Sequence, residues 1–111
     1  MYIHFTFLDG SNPYITTNHS ALWRMIKKYR CRFVGSEHLL VEWPNQVLGV
    51  RKVSEHEKNK TILRDFALDF QIFNMDYQRI SMGELIEWSY FFEEYGKRFG
   101  LLREFRENGI C

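Results

Sequence analysis

Ser81-Met-Gly-Glu-Leu-Ile-Glu-Trp-Ser-Tyr-Phe-Phe-Glu-Glu-Tyr-Gly-Lys-Arg-Phe-Gly-Leu-Leu-Arg-Glu-Phe-Arg-Glu-Asn-Gly-Ile-Cys111 is the stretch on which the fold turns. Leu85, Trp88, Phe92, Tyr95, Phe99 and Leu102 recur at alternating spacings of three and four, which sets them in one stripe along a helix. Ser81 followed by Glu84 is the Ser-x-x-Glu capping box, in which each side chain satisfies a backbone donor that the helix leaves open. Asn108-Gly109 supplies the stop, because glycine takes the left-handed conformation that ends helices. Gly96 and Gly100 interrupt this helix. They predict a kink or a break into two helices, or else the close approach of another backbone such as a second copy of the chain in a homodimer. A stripe this aromatic requires a cover.

The rest of the chain supplies one. Tyr2-Ile-His-Phe-Thr-Phe-Leu8 alternates apolar and polar residues, as a half-buried strand does. Asp9-Gly-Ser-Asn12 is turn chemistry, and Pro13-Tyr-Ile15 returns as a second strand. Thr17 or Asn18 then caps a helix whose buried side carries Leu22, Met25, Ile26 and Tyr29. Residues 31–34 and 38–43 form a second hairpin about Gly35-Ser-Glu37, and residues 46–53 read as a further strand with a bulge or close contact at Gly49. Ser54-Glu-His-Glu-Lys-Asn-Lys60 reads as a charged loop. After it, Ile62, Leu63, Phe66, Phe70 and Phe73 mark a helix over about 60–74 capped by Asn59. A connection over 74–80 leads to the capping box. The expectation is one α+β domain spanning residues 1–111: an antiparallel sheet of four or five strands, one helix after the first hairpin, and two or three C-terminal helices packed on one face.

A chain of 111 residues supports one core, and 45% hydrophobic content argues for a folded globule. Aromatic residues make up 17%, more than a minimal core needs, so some rings belong at the surface. The net charge of +1 exerts no general pull on nucleic acid or membrane. It is unevenly spread: residues 1–60 hold nine basic against five acidic side chains, and residues 61–111 hold six against nine. The two cysteines form no disulfide framework, no apolar run reaches the length of a membrane span, and no leader pattern stands at the front. A reduced, cytoplasmic protein without a membrane anchor is expected.

No catalytic, cofactor-binding or metal motif stands out. His4, His19, His38 and His56 fall in four different elements without ligand spacing, and Glu55-His56-Glu57 reads as a solvated cluster. Cys31 has Arg30 and Arg32 beside it, but in a strand those neighbours point to the opposite face, leaving a buried, inert thiol. Two patches remain. Arg24, Lys27, Lys28, Arg30 and Arg32 suit phosphate contact, with Trp23 or Tyr29 for stacking, and equally suit a solvated helix side running into an edge strand. Glu84, Glu87, Glu93 and Glu94, with Tyr90 and Phe91 off the main stripe, suit a protein contact anchored on whichever ring is exposed, and equally suit a plain solvated face in which Glu93 pairs with Lys97 and Glu94 with Arg98.

Phe7-Leu-Asp-Gly-Ser-Asn-Pro-Tyr-Ile15 and the segment from Phe91 to Cys111 resemble the ends of small accessory proteins carried by phages, plasmids and conjugative elements of Gram-positive bacteria. That group includes inhibitors of bacterial defence, anti-CRISPR proteins among them. The resemblance covers the two ends and leaves residues 30–59 outside it. It implies a compact, non-enzymatic binder without cofactors that occupies a surface on a protein or ribonucleoprotein target such as a CRISPR nuclease. The acidic set would then compete for the target's nucleic-acid groove. The alternative is a small nucleic-acid-binding regulator that uses the basic segment 24–32.

Overall fold

Apolar side chains alternate along the strands and recur at helical spacing elsewhere, and both patterns must find one core. A computed structural model describes residues 2–44, 54–77 and 81–111. Strands β1 (Ile3–Phe7) and β2 (Tyr14–Thr16) pair antiparallel, helix α1 (His19–Lys28) follows, and β3 (Tyr29–Gly35) and β4 (His38–Pro44) form the second hairpin. Helices α2 (Glu55–Tyr77), α3 (Met82–Arg98) and α4 (Leu102–Glu107) complete an α+β architecture. The further strand expected over 46–53 lies outside the described residues.

The sheet is mixed rather than antiparallel. Its order is β2-β1-β4-β3, and the two central strands β1 and β4 run parallel, with Phe5 beside Leu39 and Phe7 beside Val41. The expectation of an antiparallel sheet considered only consecutive strands, whose connections are short. β1 and β4 are not consecutive: the chain goes from the first hairpin through α1 to the far edge and comes back inside it. These two strands carry fully buried Phe5 and Leu39, so the center goes to the strands with the most apolar surface to hide.

Asn18 caps α1 by accepting hydrogen bonds from the Ser20 and Ala21 N–H groups. The helix ends without a loop, since Tyr29 is already extended and opens β3. The segment 54–60 is not a loop. Ser54 Oγ accepts from the Glu57 N–H at 3.2 Å and Ser54 O accepts from the Lys58 N–H, so α2 starts at Glu55. Ser54-x-x-Glu57 is the same cap signature as Ser81-x-x-Glu84, and acidic residues in a first turn suit the helix dipole. Asn59, the expected cap, sits within the helix, and at its other end α2 runs on to Tyr77 through most of the expected connection.

Ile3, Phe5, Cys31, Phe33, Leu39 and Val41 pack from the sheet against the helices. Trp88 lies at the meeting point, with ring centroids 5.1 to 5.9 Å from Phe33, Phe66, Phe70, Phe91 and Phe92. Its indole N–H donates to the Ser36 carbonyl in the β3–β4 turn at 2.8 Å, tying α3 to the sheet. The capping box and the break after Arg98 appear where the sequence placed them: Gly100 has φ +71° and α4 folds back on α3. Gly96 serves the other expected purpose, but within one chain. A Cβ at Gly96 would stand 2.8 Å from Cδ2 of Phe105 on α4, so the close approach is intramolecular.

Candidate interaction surface

α3 places the acidic set. Glu84 is engaged in the cap, its Oε2 accepting from the Ser81 N–H at 3.3 Å while its own N–H donates to Ser81 Oγ. Glu94 lies 3.2 Å from His19 Nδ1 and accepts from Arg98 Nη2 at 3.3 Å. Glu87 is half-buried. Tyr90 is 62% exposed with Glu87, Glu93 and Glu94 three or four residues away, hence on its side of the helix. Phe91 is no part of that face. It is fully buried between Phe66, Trp88 and Tyr95, as its place three residues after Trp88 and four before Tyr95 dictates.

Sequence reasoning missed the larger feature. Leu68, Ile72 and Met75 on α2 are exposed at spacings of four and three, and Met82, Ile86 and Tyr90 on α3 at spacings of four. In each helix the buried aromatics point one way and these residues the other, where they are interleaved with charged side chains such as Arg64 and Asp65 on α2 and Glu93 and Lys97 on α3. An amphipathic helix at a free surface is mostly polar on its outer side, and these six exposed apolar side chains depart from that pattern. The signal was legible as a second period on each helix, overshadowed by the stronger aromatic one.

The basic segment is divided. Arg30 Nη2 lies 3.0 Å from Asp69 Oδ2 of α2, off the line of a hydrogen bond but within reach of the charge. Burial pushes the Asp69 carboxyl up, and Arg30 pulls it back down. The alternation rule had sent Arg30 to the face opposite Cys31. A register shift between Arg30 and Cys31 breaks that alternation. Arg32 is exposed, and its Nε meets Glu42 Oε1 at 3.0 Å. Trp23 is buried against Tyr95 and Phe99 and cannot stack on a base. Arg24 and Lys28 are exposed, Lys27 is half-exposed, and among the described residues none of the three forms an ion pair.

His4 and His38 come together across the parallel β1–β4 pair with rings stacked at 4.7 Å, a neighbourhood that no spacing in the sequence reveals. Among the described residues no group of three or more His, Cys, Asp or Glu side chains is placed to hold a metal ion. No described helix is long and apolar enough to cross a membrane. Cys31 is buried, and desolvation pushes its thiol up to about 12 despite the pull of Arg30. Cys111 is half-buried. Titration of the native protein with a chromogenic disulfide at pH 8 is expected to modify Cys111 alone, and both thiols only in guanidinium. Fast native modification of Cys31 would contradict its burial.

Comparison of the chain with protein-family models, with curated proteins and with solved structures finds no match.

Proposed function

We propose that this chain is a non-enzymatic interaction protein that docks on a protein partner through the outward sides of α2 and α3. The observation that carries the proposal is the row of exposed apolar side chains on these helices, with Leu68, Ile72, Met75, Met82, Ile86 and Tyr90 between 45% and 73% exposed. Methionines at such a face adapt to a partner's shape, and an exposed tyrosine makes a strong anchor. Burying six such side chains stabilises a complex through their apolar area, and the acids around Tyr90 favour a partner with a basic surface.

The finer form of the proposal is a mobile-element inhibitor acting in the cytoplasm, anti-CRISPR-like, whose partner is a defence nuclease. The support is the resemblance at the two ends of the chain and the meeting of apolar and acidic residues about Tyr90. Glu87, Glu93 and Glu94 would stand where the target's groove expects phosphates, with Glu84 at the cap end of the same helix.

The test is a pull-down with tagged protein from a lysate of a CRISPR-bearing Gram-positive host, before and after nuclease treatment, followed by affinity measurement on the captured nuclease. Ile86→Ser with Tyr90→Ser is expected to weaken binding by at least about tenfold without changing the unfolding midpoint, since anchor residues dominate such interfaces. Reversal of Glu87 and Glu94 to Lys is expected to weaken it further and to make it less sensitive to salt. Unchanged affinity in the Ser variant sinks the docking face. A concentration-dependent dimer that the Ser variant dissolves would assign the face to self-association instead.

A further inference from the structure

A groove lies between the β1–β2 hairpin and α1, and its lining shares no residue with the exposed rows of α2 and α3. α1 directs Leu22, Trp23 and Ile26 into the core, and its neighbouring stripe of Ala21, Arg24, Met25 and Lys28 faces the hairpin instead. Ala21 is too short to reach across, and the gap that remains has a volume of about 340 Å3. That falls within the roughly 300–1,000 Å3 typical of small-molecule sites. Its walls are apolar and aromatic, made by Phe7, Tyr14, Met25 and Tyr29, and Asn12 adds an amide at the turn. Arg24 and Lys28 stand one helical turn apart in the lining, which among the described residues contains no carboxylate. Lys28 Nζ is held 5.3 Å from the Tyr29 ring centroid, so its charge stays at the wall.

We propose that this groove binds a nucleoside monophosphate, the base lying against the aromatic wall and the phosphate meeting Arg24 and Lys28. The chemistry on each side of the ligand matches what the groove offers: a flat apolar body for the rings, and a dianion for two cations that no acid among the described residues neutralises. A single nucleotide suits the charge distribution better than a strand. Of the five basic residues at 24–32, Arg30 and Arg32 are occupied by Asp69 and Glu42 and Lys27 lies outside the lining, so among the described residues Arg24 and Lys28 are the cations the groove offers, enough for one phosphate.

Calorimetric titration of the intact chain with AMP, GMP, CMP and UMP, with the corresponding nucleosides and with inorganic phosphate tests the proposal. At least one monophosphate is expected to saturate a single site, with its nucleoside and free phosphate each at least about tenfold weaker. The Arg24→Ala/Lys28→Ala double variant is expected to lose at least about tenfold in affinity with an unchanged unfolding midpoint, while Arg32→Ala binds as the parent does. Equal affinity for nucleoside and monophosphate, equal affinity for phosphate alone, or no heat at millimolar ligand would overturn it. So would tight, steeply salt-dependent binding of a short single-stranded oligonucleotide with none of the monophosphates, which would assign the groove to a strand.

Discussion

Trp88→Ala is expected to destabilise the domain by about 3–5 kcal/mol, the range for removing a large aromatic side chain from a packed core. The residue is fully buried, five aromatic rings surround it, and its indole N–H is bonded to the Ser36 carbonyl. Truncation leaves a cavity where sheet, α2 and α3 meet, and each of those elements is stiffened by its own backbone hydrogen bonds, which limits collapse into it. Trp88→Phe separates the two contributions. It retains most of the packing but leaves the Ser36 carbonyl without its donor, at a cost of about 1–3 kcal/mol. Urea denaturation of both variants reads the effect. A loss below about 1 kcal/mol for Trp88→Ala would mean that the α3–sheet junction does not depend on this ring.

Gly96→Val is expected to cost about 1–3 kcal/mol or more, the usual penalty for overpacking. Its Cβ would press on Phe105 at 2.8 Å and 3.1 Å from two ring atoms. Phe105 is 1% exposed and edge-on to Phe92, so its ring has nowhere to turn. Relief requires α4 to lift from α3, so the C-terminal segment should lose hydrogen-exchange protection before the rest of the domain. Gly100→Ala provides the comparison. Nothing lies within 4 Å of a Cβ there, and the only cost is the positive φ of +71°, about 1 kcal/mol. If Gly96→Val were no worse than Gly100→Ala, the α3–α4 contact would be looser than the distances imply.

The proposed docking face and the proposed nucleotide groove lie on different elements, and their variants are chosen so that each can fail alone. Ile86 and Tyr90 are on α3, and Arg24 and Lys28 are on α1. A nucleotide that bound in the groove yet left partner affinity unaltered would mean that the two sites work independently.

The sequence by itself determined the local elements. Caps at Asn18 and Ser81, the turns at residues 9–12 and 35–37, and the stop at Asn108-Gly109 depend on hydrogen bonds and backbone angles spanning a few residues, so a local reading finds them. It also contained the Ser54-x-x-Glu57 cap and the outward apolar stripes, which the charge of one segment and the aromaticity of the other masked. Tertiary structure alone decided which strands became neighbours. The parallel β1–β4 pair, the stacking of His4 on His38, the turn of Arg30 onto Asp69 and the fit of Phe105 against Gly96 join residues far apart in the chain. Such contacts carry no periodicity, because they follow from how all the apolar faces are buried at once rather than from any single segment.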